Sequence, residues 1–246
     1  MIIKTILFDL DDTLLGNDME TFLPGYFRLL DQYAARHLNE DQFLAAVLKA
    51  SDVMTENTDP ALTNRDVLWQ EIEQLTGLNP EESEARLDDF YRVEFNQLQP
   101  LTKFYPTAAE MVRFCFAKGL KVVIATNPMF PRRAIEARLA WAGVPVTEFP
   151  YALVTSIENM HATKPQQAYY QEILQKVNGQ PHETLMVGDD WGRDIEPAAA
   201  LGLYTYWIQL PGTSPSDPTL PTAYGSLDVL LSRIQSNWLG QPAVMA

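Results

Sequence analysis

The sequence predicts an α/β protein: a Rossmann-like, doubly wound parallel sheet carrying an all-helical insertion. Three observations carry this expectation. Short β-branched and apolar runs alternate with helical stretches through the second half of the chain. A run of the same kind opens the chain at Ile2. Between about residues 17 and 100 only helical periodicity is found, with no convincing strand. The expected division is a discontinuous core of residues 1–16 and 101–246, interrupted by a helical unit of residues 17–100. With 246 residues and 46% hydrophobic composition, the chain can bury one large core or two modest ones.

Taken in order, Ile2-Ile3-Lys4-Thr5-Ile6-Leu7-Phe8 reads as a buried central strand. It runs straight into Asp9-Leu10-Asp11-Asp12-Thr13. Ligands of open α/β sheets bind just outside the carboxyl ends of the strands, which is where Asp9 and Asp11 fall. Like charges this close raise each other's pKa unless positive charge compensates. A divalent cation does so economically, and hard oxygen ligands favour Mg²⁺. From this stretch alone an acidic turn without a ligand stands as the alternative.

The pattern then turns helical. Met19 to Ala35 holds Phe22, Phe27, Leu29, Leu30 and Tyr33 at helical spacing, around an expected kink at Pro24-Gly25. Asp41 to Met54 repeats the pattern. Asn64 is an expected cap for a helix through Leu75 that ends near Gly77, and Pro80-Glu81-Glu82 opens another that runs to Phe95. Gln99 to Thr102 reads as the return hinge, opposite Gly16.

In the second half, strands are expected at Leu120–Ala125, Tyr151–Thr155, Thr184–Val187 and Tyr204–Ile208. Helices are expected from Pro106 to Phe116, from Pro131 to Trp141, after Lys164-Pro165, from Asp194 to Leu201 and after Ser226. The Pro-, Ser- and Thr-rich stretch from Pro211 to Pro221 reads as a surface loop, and the last residues as a frayed tail.

The formal net charge is −14 and the pI near 4.5. Such a surface repels nucleic-acid phosphate and anionic membrane, so neither is expected as a partner. A phosphate site on this chain must draw positive charge from a metal, a lysine or backbone N–H groups. The single cysteine, Cys115, excludes an intrachain disulfide, and His37, His161 and His182 make no zinc-ligand pattern. Asp9, Asp11 and Asp12 break the first apolar run, so no signal peptide is read there, and no apolar run approaches a membrane span. The expectation is a cytoplasmic protein.

Three of these strands end in polar groups: Asp9 and Asp11, Thr126 and Asn127, Asp189 and Asp190. Lys164 leads into a helix between the last two. Parallel strands place their carboxyl ends on one edge, so the four stations can converge. Each is weak alone, but together and in this order they make a strong signal.

Phe8-Asp9-Leu10-Asp11-Asp12-Thr13-Leu14, Ala125-Thr126-Asn127, Lys164-Pro165 and Gly188-Asp189-Asp190-Trp191-Gly192-Arg193-Asp194 resemble the four motifs of the haloacid dehalogenase-like hydrolase superfamily. Ala198-Ala199-Ala200-Leu201-Gly202 resembles the segment that follows its fourth motif. The helical insertion is similar in position to that superfamily's C1-type cap. The resemblance implies that Asp9 is a nucleophile forming an aspartyl-phosphate, and that Asp11 protonates the leaving alcohol and then activates water. It implies Mg²⁺ held by Asp9, Asp189 and the backbone carbonyl of Asp11. Thr126 and the Asn127 backbone N–H would bind phosphoryl oxygens, and Lys164 would pair with Asp9 and the phosphate. For Asp190 and Asp194, metal ligation through water and orientation of Lys164 stand as alternatives. Thr13 would brace the turn.

Within that superfamily, dehalogenases need no acid at the position of Asp11. Phosphonate hydrolases lack this Asp and use a cap lysine, and the one lysine of residues 17–100, Lys49, sits in no motif. The expected activity is therefore a Mg²⁺-dependent phosphatase acting on a small phosphomonoester. A phosphomutase using the same residues and a catalytically idle binding module are the alternatives. Arg28, Arg65, Arg86, Arg92 and Asn96 are candidate substrate contacts in the insertion.

Overall fold

The computed structural model describes residues 2–38, 42–210 and 212–240. The first strand, β1 (Thr5–Phe8), is fully buried and leads through a tight turn to β2 (Leu15–Gly16). Four helices follow: α1 (Met19–His37), α2 (Phe43–Glu56), α3 (Asn64–Thr76) and α4 (Pro80–Arg92). A 3-10 segment, Glu94–Leu101, returns the chain to β3 (Lys103–Phe104), which pairs antiparallel with β2. The two-residue β2–β3 ribbon thus closes the neck of the insertion.

The remainder alternates α5 (Pro106–Ala117), β4 (Lys121–Ile124), α6 (Arg132–Trp141), β5 (Leu153–Val154), α7 (Gln167–Lys176), β6 (Thr184–Gly188), α8 (Glu196–Ala200), β7 (Tyr204–Ile208), β8 (Ala223–Gly225) and α9 (Leu227–Gln235). The sheet has six strands in the order β5-β4-β1-β6-β7-β8, and every pair in it is parallel. Side-chain alternation divides the core between its two faces. Ile6, Phe8, Val122, Ile124, Leu185 and Val187 pack on α5, α6 and α9. Leu7, Val123 and Met186 pack on Tyr169, Tyr170 and Ile173 of α7 and Ala198 of α8. Both faces are covered, so the strands read as continuous apolar runs.

Several elements differ from expectation. Helix α1 continues through Pro24, because its buried face of Phe22, Tyr26, Leu29 and Leu30 outweighs one missing hydrogen bond. The cap of α3 is Thr63, which forms a reciprocal capping box with Asp66, and Asn64 is the first residue inside the helix. Helix α4 stops at Arg92, and Phe95 packs from the 3-10 segment instead. Strands β2, β3 and β8 are two or three residues long, too short to show a period in the sequence. The expected start of α2 at Asp41, the first loop residue Pro211 and the tail of residues 241–246 lie outside the described residues.

The insertion rests on the loops at the carboxyl edge of the sheet. The backbone N–H groups of Asn64 and Arg65 donate to Met160 and Ile157 carbonyls at 2.8 and 2.9 Å. The Asn64 amide donates to the carbonyls of Pro128 and Ala162, each at 3.3 Å. Gln166 reaches back to the Thr55 carbonyl at 2.8 Å.

Candidate active site

The site begins where β1 stops. Asp9 donates its backbone N–H to Val187 of β6 at 2.9 Å, so its side chain emerges between β4 and β6. The next turn is drawn tight by the Leu10 carbonyl, which accepts from Leu14 and Leu15, both at 2.9 Å. Asp12 takes the left-handed conformation that an aspartate tolerates in such a turn.

From the far side comes Lys164, almost fully buried. Its Nζ donates to Asp9 Oδ1 at 2.7 Å and to Asp194 Oδ1 at 2.6 Å. The second Asp194 oxygen accepts from the Asp190 backbone at 3.2 Å. A β-carbon on Gly188 would overlap the Asp194 carboxylate, so glycine is required at the end of β6. Asp189 completes the group: one oxygen from each of Asp9, Asp189 and Asp194 lies within 4.8 Å of the others. Thr13 Oγ1 donates to Asp189 Oδ1 at 3.4 Å.

The electrostatics follow from this count of charges. Burial opposes the charge on Lys164, but Asp194 and Asp9 outweigh it and hold the ammonium well above the usual lysine value. Burial pushes Asp9 well above the carboxylate range; Lys164 counters this, while Asp194, Asp189 and Asp11 add to the rise. Asp189 is pushed up to about 7 by burial, then by Asp194 and Asp12. Two buried carboxylates, Asp9 and Asp194, and the half-buried Asp189 share one lysine, so the cluster lacks positive charge. Its donors are all hard oxygens, a set that would suit a divalent cation such as Mg²⁺. Asp194 has both carboxylate oxygens engaged, one by Lys164 Nζ and one by the Asp190 backbone N–H.

The remaining expected residues fall around this cluster. Thr126 is buried at the end of β4, and its carbonyl accepts from the Thr155 and Tyr169 hydroxyls at 2.6 and 2.9 Å. The Asn127 side chain accepts from the Lys164 backbone N–H at 3.0 Å, which joins these two stations. The Asp190 carboxylate stands outside the cluster and caps the Trp191–Ile195 turn, accepting from Arg193 at 2.9 Å. The Asp11 side chain also turns away from the cluster. Its Oδ2 accepts from Arg138 Nη1 at 2.6 Å and its Oδ1 from Asn17 Nδ2 at 2.8 Å.

Neither Arg138 nor Asn17 was expected here. Arg138 carried a readable signal: it lies on the stripe Ala134, Ile135, Leu139, Ala142, where every other residue is apolar and buried. An arginine is almost never fully buried without a partner. Asn17 carried no such signal. Of the candidate contacts in the insertion, Arg65 pairs with Glu84, Arg92 with Asp89, and Arg86 donates to the His37 carbonyl at 2.6 Å. Asn96 donates to the Arg92 carbonyl at 2.9 Å. A cavity of about 390 Å³ lies between α1–α4 and Met129–Arg133, walled by apolar residues such as Trp69 and Leu87 and by charged ones that include Arg65, Glu84, Arg132 and Glu158.

Parallel strands with a lysine-paired carboxylate cluster at their carboxyl edge, and a helical insertion beside it, define a doubly wound α/β protein with its candidate site at that edge. Residues 3–202 match the family described as haloacid dehalogenase-like hydrolase, and the chain belongs to that family. Pyrophosphatase PpaX from Bacillus pumilus is 23% identical over 203 residues, which is 82% of either chain. The 2-haloacid dehalogenase of Pseudomonas syringae superposes with a TM-score of 0.64 at 22% identity, covering 96% of this chain and 100% of that one. The Bacillus subtilis protein YfnB, bound to magnesium, has a TM-score of 0.53 at 18% identity over 98% and 100%. At these identities the solved structures establish the shared fold. No helix among the described residues is long and apolar enough to cross a membrane.

Proposed function

We propose that the protein is a Mg²⁺-dependent phosphatase of a small phosphomonoester, working through an aspartyl-phosphate on Asp9. The observation that carries this reading is Lys164 Nζ held between Asp9 and Asp194 at 2.7 and 2.6 Å, with Asp189 in the same group. Residues 17–100 serve as a cap over a core of residues 1–16 and 101–246, with hinges near Gly16 and Pro100. The cap excludes water in the first step and admits it in the second.

Lys164 fixes Oδ1 of Asp9 and leaves Oδ2 to attack phosphorus. As the new P–O bond forms, the ester P–O bond breaks and Asp11 gives its proton to the leaving oxygen. In the second step Asp11 takes a proton from the water that attacks phosphorus, and Asp9 departs as a carboxylate with release of orthophosphate. Thr126 and the Asn127 backbone N–H hold phosphoryl oxygens throughout, and Lys164 offsets their growing charge. Mg²⁺, when bound by Asp9, Asp189 and the Asp11 carbonyl, supplies charge neutralisation between nucleophile and phosphate. The magnesium in the Bacillus subtilis neighbour supports that assignment.

The pyrophosphatase relative favours a second reading, in which the same residues cleave inorganic pyrophosphate. Phosphate release measured across sugar phosphates, p-nitrophenyl phosphate and pyrophosphate, with Mg²⁺, separates the two. Isomerisation without phosphate release would instead indicate a mutase. Intact Mg²⁺ binding with no turnover at all would indicate an idle module. Asp9→Asn is expected to abolish turnover while the thermal melt is kept; kcat near that of the unmodified enzyme would remove Asp9 as nucleophile.

A further inference from the structure

The Asp189–Asp190 peptide, just past the end of β6, is held at both of its polar ends. The Asp189 carbonyl accepts from the Trp207 indole Nε1 at 2.7 Å, and the Asp190 N–H donates to Asp194 Oδ2 at 3.2 Å. Trp207 stands on the neighbouring strand β7 as the register partner of Gly188, and it is only 5% exposed. Its ring is fixed in turn. Trp191 lies edge-on to it with ring centres 5.6 Å apart, and Tyr224 of β8 lies 6.5 Å away. Trp191 is tied down separately, its Nε1 donating to Glu196 at 2.9 Å.

A peptide unit is planar, so fixing its C=O and its N–H fixes its orientation. The direction in which the Asp189 side chain leaves the backbone is set with it. That direction matters because one oxygen from each of Asp9, Asp189 and Asp194 lies within 4.8 Å of the others, and like charges at such range repel. Lys164 is bonded to Asp9 and Asp194, whereas the Asp189 carboxylate is met by Thr13 Oγ1 at 3.4 Å. The placement of Asp189 therefore depends on its backbone. An indole N–H is a neutral group that can only donate, and buried it must find an acceptor. Bonded to the Asp189 carbonyl, it holds the residue in place without neutralising the carboxylate, which stays available to a cation.

We propose that Trp207 is a positioning residue for Asp189, holding its carboxylate towards Asp9 in the geometry that binds a divalent cation. This rests on the Mg²⁺ reading of the cluster given above. Mg²⁺ demands near-ideal geometry from its ligands, so a bond that orients one of them acts directly on affinity.

The test measures metal binding to the full-length protein, with Mn²⁺ as the probe. Mn²⁺ takes the same hard oxygen ligands, and electron paramagnetic resonance counts the free ion. Trp207→Phe is expected to raise the Mn²⁺ Kd on the order of 10- to 100-fold, and Trp191→Phe, which keeps the Trp207–Asp189 bond, by less than about threefold. Phosphate release by Trp207→Phe should need correspondingly more Mg²⁺, and kcat should return to within about threefold of the unmodified enzyme at saturation. A merely structural tryptophan would lower kcat or Tm without moving either metal constant. An unchanged Kd in Trp207→Phe, an equal rise in Trp191→Phe, or a kcat loss that saturating Mg²⁺ does not restore would overturn the inference. If Trp207→Phe lacks a native circular dichroism spectrum, site-specific replacement of Trp207 by benzothienylalanine decides by the same readout, since it keeps the ring shape without the N–H. Asp189→Asn separates the two levels. Should it bind Mn²⁺ as tightly as the unmodified protein, the Mg²⁺ reading fails and the inference with it. Should it lose Mn²⁺ while Trp207→Phe does not, only the positioning inference fails.

Discussion

Lys164 keeps its charge in a place where an isolated ammonium would lose it. The Asp194 and Asp9 carboxylates do this, at 2.6 and 2.7 Å. Without the lysine, buried carboxylates would face one another uncompensated. Lys164→Ala is therefore expected to cost about 3–5 kcal/mol in urea unfolding of the metal-free protein. An unchanged midpoint and slope would mean the pair contributes nothing to stability. Cys115 is the opposite kind of buried group, apolar in its surroundings and with its thiol pushed up to about 12 by burial. A thiol that must lose its proton to react is inert there. Ellman's reagent at pH 8 should leave the native protein unmodified and titrate one thiol per chain in guanidinium chloride; rapid reaction of the folded protein would contradict its burial.

At the scale of elements, the site depends on how β6 ends. Gly188 closes the strand, and the Asp194 side chain occupies the space where a β-carbon would stand. Gly188→Ala should push Asp194 aside and release Lys164 from its brace. The expected result is a fall in kcat on the order of 100-fold, with near-unchanged helix content by circular dichroism. Full activity in this variant would show that the brace is dispensable. Helix α3 shows a comparable dependence at the other side of the cleft. Its cap, Thr63, is satisfied within the helix, which frees Asn64 to tie the loops after β4 and before Lys164 through Pro128 and Ala162.

At the scale of the molecule, the carboxyl edge of the sheet gathers negative charge in a chain that is already at −14. A cation that binds only the folded cluster stabilises the whole fold by mass action. Mg²⁺ at about 100 times its dissociation constant should add about 2.7 kcal/mol, seen as a rise in Tm that EDTA reverses. Asp189→Asn should abolish that rise, since Asp189 shares the cluster with Asp9. A Tm indifferent to Mg²⁺ in both proteins would remove the ion from the scheme.

Local chemistry was enough to read the alternation of strands and helices, because apolar period and turn residues report directly on burial and chain direction. Tyr204–Ile208 was legible residue for residue, and the neighbourhood of Asp9, Lys164 and Asp189 followed from parallel strands sharing one edge. Strands β2, β3 and β8 were not legible, since a two- or three-residue strand exists only through its partner. The partners of Asp11 were not legible either. Arg138 follows it by more than half the chain, and only the packing of α6 against the first turn brings the two within 2.6 Å. Sequence by itself determined which groups could act and at which edge of the sheet they emerge. Tertiary structure alone decided which oxygen of which carboxylate each cation holds, because that depends on distances set by the packing of elements remote in the chain.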